Sequence, residues 1–249
     1  MNLKSIVQAI HKRGPFTPYS MHMFMFPLPC LLLGAFLAPA INWLHLVMLV
    51  AAYWVGLEVG VHNLDLSQGW RPKEKYAPWN SSDEPLWPQA KARWGWAGII
   101  IGLALAIALV VITQWWLVFF VLIMLAIAVG YGRDIWPFHT YTGFGVAYGM
   151  IPVWGSYLLQ VQTFDLSSVF HWGVIVLSAG VGIVSAVCLS YFPRATNPVA
   201  YQSVGIVSED KRVMPSELEA KKMVMKGLFI IFGATWLCVI GVILMRVGG

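Results

Sequence analysis

Apolar residues run in long stretches along this chain, separated by short polar breaks. A helix needs about 20 such residues to cross the hydrocarbon core of a bilayer. Seven segments qualify, at approximately 20–39, 42–62, 95–113, 115–131, 143–161, 170–191 and 226–246. The pattern predicts an all-α, polytopic membrane helical bundle of about seven transmembrane helices, forming one integral membrane domain over 1–249. Two connections are long, 63–94 and 192–225; the others are short. Ala38-Pro39-Ala40 has the small-residue character of a signal-peptidase site. The apolar run before it starts only near Met21, after a segment holding Pro15 and Pro18, which is long for a signal peptide. The first stretch therefore reads as a retained helix.

Composition sharpens this reading. Hydrophobic residues make up 59% and charged residues 11%, and mean hydropathy is +0.71. Soluble domains carry roughly 25% charged residues, so these values exclude an ordinary soluble domain, a disordered chain and a disulfide scaffold. Cys30, Cys188 and Cys238 lie in apolar runs and read as buried free thiols, with no Cys-x-x-Cys to suggest zinc or redox chemistry. The net charge of +5 reflects loop lysines and arginines rather than a nucleic-acid partner. With the N-terminus inside, 15 of the 16 basic residues fall on the inner side, and Arg246 alone falls outside. Cytoplasmic loops carry such an excess, so the N-terminus and both long loops are expected in the cytoplasm. Many of the 13 tryptophans, Trp43, Trp70, Trp94, Trp115 and Trp136 among them, sit near predicted span ends as interfacial anchors.

Little candidate chemistry lies inside the spans. Glu58, His62 and Asp65 are four and three residues apart, so they share one helix face. A carboxylate inside a span is expensive and has a partner or a function. The face reads either as a metal or cofactor site or as an internal Glu58–His62 hydrogen bond. His22, His45, His62, His139 and His171 lie near span ends, where they read as interfacial hydrogen-bonders or as ligands to a heme or chlorophyll-type pigment. Lys73, Lys75, Arg133, Arg194, Lys211 and Arg212 are phosphate-binding candidates, or else solvated determinants of topology. Asp134 reads as the local partner of Arg133, and Met21, Met23 and Met25 as apolar packing.

The second span ends in Glu58-Val59-Gly60-Val61-His62-Asn63-Leu64-Asp65-Leu66-Ser67-Gln68-Gly69. Asn80-Ser81-Ser82-Asp83-Glu84-Pro85-Leu86-Trp87-Pro88 follows, then a new span. This layout resembles the UbiA superfamily of intramembrane prenyltransferases, which carry an NDxxDxxxD motif at the cytoplasmic end of helix 2 and a stretch like NxPDRPxPSG after it. Asp65 matches the middle aspartate, and Gly69 a glycine common in the menaquinone branch. Asn80, Asp83, Pro85 and Pro88 match the later stretch. Tyr131, Gly143-Phe144-Gly145, Pro152 to Tyr157, and Lys211-Arg212-Val213-Met214-Pro215 with Glu219 to Lys222 extend the likeness over nearly the whole chain.

In that family two Asp-rich motifs hold Mg²⁺, which bridges the diphosphate of a prenyl donor. The resemblance thus makes Asp65 and Asp83 catalytic candidates and Asp65, Asp83 and Asp210 metal candidates. Glu58, His62, Arg133, Lys211 and Arg212 become candidates for cofactor binding. The departures are specific. His62 stands in place of the first aspartate, Gly69 in place of the third, and Glu84 in place of a basic residue. The run Ser190 to Pro198 after the sixth span holds no acid, where the second motif belongs. The family has nine helices as a rule, and seven are predicted here.

Three classes of function follow. The first is a UbiA-like, non-catalytic protein that binds an isoprenoid lipid, quinone or tailed pigment, as a subunit of a larger membrane complex. The second is an active Mg²⁺-dependent prenyltransferase acting on a lipophilic aromatic acceptor, a quinone precursor or a tetrapyrrole. The third is a transporter-like or purely structural bundle. The first accounts together for a retained scaffold and lost aspartates, and it implies an apolar cavity open to the cytoplasmic side and to lipid.

Overall fold

The computed structural model describes residues 22–25, 27–67, 87–133, 140–165 and 167–196, together with 15, 135, 137, 138, 233, 236, 239 and 240. Every described element is helical. After a short turn of helix at His22–Met25, α1 runs over Pro27–Leu37. Helix α2 is unbroken through Trp43–Tyr53, a π-helical stretch Trp54–Val61, and His62–Ser67. Helix α3 covers Trp87–Ile112. Helix α4 begins with a 3-10 turn at Trp115–Leu117 and continues over Val118–Gly132. Helix α5 joins Tyr141–Gly145, a second π-helical stretch Val146–Met150, and Ile151–Val161. Helix α6 covers Val169–Thr196.

Four described helices are long and apolar enough to cross a membrane: Trp43–Asp65, Gln89–Ile112, Trp115–Gly132 and Val169–Ala186. They make the chain an integral membrane protein. The expectation of seven spans is met only in part. Pro27–Leu37 is apolar but short. Helix α5 has the length, but its glycines, tyrosines and Pro152 dilute its apolar content. Most of 226–246 lies outside the described residues. There Val239 is fully buried beside Cys30, Leu33 and Val153, and Trp236 Nε1 donates to Phe24 O at 3.1 Å. Helix α3 also starts earlier than 95. Lys91 and Arg93 read as loop residues in the sequence, yet both lie on the helix, and Lys91 is fully buried.

Glycine sets how closely the helices approach. A Cβ at Gly98 on α3 would lie 2.5 Å from Gly60 N on α2. A Cβ at Gly102 would lie 2.7 Å from Gly56 Cα, and one at Gly95 2.7 Å from Leu64 N. Gly56, Gly60 and Leu64 recur every four residues, so α3 lies along a single stripe of α2. Without a strong hydrophobic force between helices in lipid, small residues that let backbones touch are a main source of helix association. The same device joins α5 to α6, where a Cβ at Gly145 would meet Gly182 O at 2.5 Å and one at Gly149 would meet Ser185 Oγ at 2.6 Å. Gly34 on α1 lies against the Val153 carbonyl of α5. Ser156 Oγ of α5 donates to Leu31 O of α1 at 2.7 Å, which fixes that pair in register. Broad lipid-type faces remain on the outside, including Val111, Phe119, Val169, Val176 and Ile183.

Candidate functional site

Two sites emerge, one polar and one apolar, and they adjoin. The polar site lies between the two π-helical stretches. Such wide turns are rare and are frequent at functional positions, because they re-aim side chains and loosen the backbone ladder. Glu58 sits within the first stretch, His62 immediately after it, and Tyr148 within the second. All three are buried, Glu58 completely. His62 Nδ1 lies 3.0 Å from Glu58 Oε2. On the other side of the ring, His62 Nε2 lies 3.1 Å from the Tyr148 hydroxyl. The three side chains thus form a row across the α2–α5 contact.

The Glu58–His62 approach is close but off the line of a good hydrogen bond. Neither carboxylate oxygen of Glu58 has a well-aligned donor among the described residues. Asn63, the next residue, is also fully buried. Its Nδ2 donates to Val59 O at 2.7 Å and to Pro15 O at 2.6 Å. It thereby satisfies a carbonyl of the widened helix and ties the N-terminal segment to α2.

The sequence offered an internal Glu58–His62 hydrogen bond or a metal or cofactor site, and the structure brings the two side chains to 3.0 Å of each other. Asp65 lies one turn further on and is half-buried. Arg133 is exposed at the end of α4. The other candidates, Asp83, Asp210, Lys211 and Arg212, lie outside the described residues, as do Lys73, Lys75 and Asp134. Arg194 lies on α6, but its side chain is outside the described set. Among the described residues, no group of three or more His, Cys, Asp or Glu is placed to hold a metal ion. Of the acids matched to the family's motifs, the described set supplies Asp65 alone. Magnesium takes several oxygen ligands, and the other two carboxylates expected to supply them, Asp83 and Asp210, lie outside the described residues. His45 is buried on α2, and its backbone N–H is capped by Asn42 Oδ1 at 3.2 Å. His171 Nδ1 lies 2.6 Å from Asp165 O at the α5–α6 connection.

Sequence reasoning missed two residues. Tyr148 reads as one more aromatic in an apolar run, and only the α2–α5 contact brings it to His62. Lys91 reads as a solvated loop charge. Its one usable signal was its spacing of four from Gly95, which puts it on the face that meets α2.

The apolar site is a cavity of about 130 Å³ lined by α1 to α5 and open on one side. Helix α3 lines it with Ile99, Leu103, Ala106 and Leu109, and α4 lines it with Phe120 and Met124. From Ile99 to Val110 the wall spans roughly 16 Å at 1.5 Å per residue. Its two polar side chains are already engaged. Ser156 Oγ bonds to Leu31 O, and the Tyr53 hydroxyl lies 3.6 Å from Met124 Sδ. A second, far smaller space of about 10 Å³ lies beside Tyr131 and Tyr148. Leu57 and Ala128 line both.

Set against protein-family models, curated proteins and solved structures, the chain finds no match in any of the three.

Proposed function

We propose that this integral membrane protein binds a single-chain lipid of the isoprenoid, quinone or tailed-pigment class. It does so without turning that lipid over, on a UbiA-like scaffold that serves a larger membrane complex. The observation that carries the reading is the long apolar cavity. Its polar side chains are turned to protein partners, so it offers a hydrocarbon chain dispersion contacts and no hydrogen bonds. A wall of roughly 16 Å along α3 gives a hydrocarbon chain a length of apolar surface to lie on. Leu57 and Ala128 border the cavity on the side of Tyr148, the polar end, so the head of the lipid is assigned there.

The resemblance to UbiA prenyltransferases supports the same class of ligand, because it rests on the helix-2 motif at Asp65 and the stretch from Asn80 to Pro88. Loss of the flanking aspartates to His62 and Gly69 supports binding over turnover. Removing one preorganised electrostatic contact typically costs about 10²–10³ in rate, and here most of a motif is replaced. The proposed orientation places the N-terminus and both long loops in the cytoplasm, on the strength of the basic-residue bias.

The experiment is purification of the full chain in mild detergent, followed by extraction and mass spectrometry of what accompanies it. The wild type is expected to retain an isoprenoid lipid at near-stoichiometric amount. Ala106→Trp, which fills the cavity at the middle of its α3 wall, is expected to lose that lipid while eluting as the same species. If both proteins carry only bulk phospholipid in equal amounts, the reading fails. Mg²⁺-dependent diphosphate release from a labelled prenyl diphosphate, abolished by Asp65→Ala, would instead establish an enzyme.

A further inference from the structure

The row Glu58–His62–Tyr148 has a property that lipid binding does not use. Glu58 is fully buried at membrane depth, and its Oε1 has no hydrogen-bond partner among the described residues. An ionised carboxylate left so poorly satisfied is among the most costly groups a membrane interior can hold. Its one close neighbour, His62, sits on the same helix face and is in turn joined to the Tyr148 hydroxyl. The three groups belong to, or directly follow, the two π-helical stretches. The fold therefore departs from regular helix twice, at one level, where it gathers three titratable side chains.

We propose that Glu58, paired with His62 and backed by Tyr148, is an intramembrane proton-binding site. The carboxylate receives one proton at Oε1 from an aqueous donor, and one O–H bond forms there. The donor is left as water, and the charge of the Glu58–His62 pair goes from −1 to zero. With Glu58 ionised, Nδ1 of His62 carries its hydrogen toward Oε2, and Nε2 is left to accept from the Tyr148 hydroxyl. Protonation at Oε1 relaxes the pull on Nδ1 and is felt through the ring at Tyr148, so the site couples α2 to α5.

The charged and titratable groups around it among the described residues are these. On α2 itself Asp65 lies one turn away, half-buried. Helix α3 brings Lys91, buried at its inner end, and the exposed Arg93. Helix α4 brings Tyr131 and the exposed Arg133. Helix α5 brings Tyr148, and α1 brings the buried thiol of Cys30. Of these, Tyr148 contacts His62 across a helix interface.

The test is infrared difference spectroscopy of the full-length protein in phospholipid nanodiscs, between alkaline and acidic buffer. A carboxylic-acid carbonyl band should form on acidification, disappear in Glu58→Gln, and shift in frequency in Tyr148→Phe. Tyr148→Phe removes one hydroxyl and leaves the ring, so it decides the matter even if Glu58→Gln does not fold. A band that Glu58→Gln leaves intact, one that Tyr148→Phe leaves unshifted, or no acid-induced band in the wild type would each overturn the proposal. Delipidated protein should give the same band, which separates failure of this site from failure of the lipid reading.

Discussion

At position 98 a hydrogen atom stands where any other residue would place a carbon 2.5 Å from the Gly60 nitrogen. The neighbour is backbone, so it cannot swing aside as a side chain can. Gly98→Ala must therefore separate α2 from α3, and overpacking of this kind costs roughly 1–3 kcal/mol. Gly173 on α6 is the control, because nothing lies within 4 Å of a Cβ built there. Gly173→Ala should be neutral or slightly stabilising, since alanine is the better helix former by about 1 kcal/mol. Thermal unfolding in one detergent, monitored by circular dichroism, compares the two. Equal melting temperatures would show that the stripe does not set the packing. At this scale the sequence was legible where a contact lies within one helix. Glu58 and His62 are four apart, and four residues bring side chains together on any helix. Tyr148 was not legible, because its contact with His62 links residues 86 apart and depends on which helices meet. Lys91 is ambiguous in sequence because a charged residue near a span end has two outlets, water or a helix interface, and only the approach of Gly95 to Leu64 selects the interface.

Among the elements, helix edges followed from local apolar content to within a few residues for α4, α5 and the start of α6. The start of α3 did not. Its first turns from Trp87 carry Pro88, Gln89, Lys91 and Arg93, and polar residues on a helix that extends past the apolar zone look the same in sequence as a loop. Neither π-helical stretch was visible beforehand, since a widened turn uses ordinary residues and is set by packing. The connection between α5 and α6 shows chemistry that local sequence does govern. Asp165 accepts from the Ser167 hydroxyl at 2.6 Å and from the Ser167 amide at 2.8 Å. These two bonds, with His171 nearby, hold its carboxyl below the usual aspartate range, the hydroxyl having the largest effect. A lowered folded-state value means that the turn gains from ionised Asp165 at pH above the unfolded value. It loses that support as pH falls through the lowered one. Protection of the Ser167 amide against hydrogen exchange, taken relative to the intrinsic rate at each pH, should therefore fall on acidification below the ordinary aspartate range, and Asp165→Ala should remove that change in protection. Exchange at Ser167 that ignores both changes would show that the turn is held by other bonds.

For the whole molecule, an integral membrane helical protein was legible from composition and run length, because bilayer thickness fixes how long an apolar helix must be. The count was less so: among the described residues α1 shows only Pro27–Leu37, α5 is diluted by glycine and aromatic residues, and most of 226–246 lies outside the described set. The cavity could be expected only in kind, since its walls come from five helices whose mutual placement is tertiary. Orientation is the remaining global property, and it has a direct test. If α2 runs inward, as the basic residues demand, then α3 runs outward, α4 inward, α5 outward and α6 inward. Residues 63–94 and the segment after Thr196 then share the cytoplasmic side, and the exposed α5–α6 connection, with Thr163, faces outward. Lys and Arg in short loops resist translocation while apolar connections pass freely, and the seven-span reading, which puts 15 of the 16 basic residues on one side, favours this arrangement. In a background with Cys30, Cys188 and Cys238 replaced by alanine, Thr163→Cys should react with a membrane-impermeant maleimide on intact cells. Ser82→Cys should react only after permeabilisation. The reverse pattern would invert the topology and, with it, place the Tyr148 end of the cavity in the outer half of the bilayer.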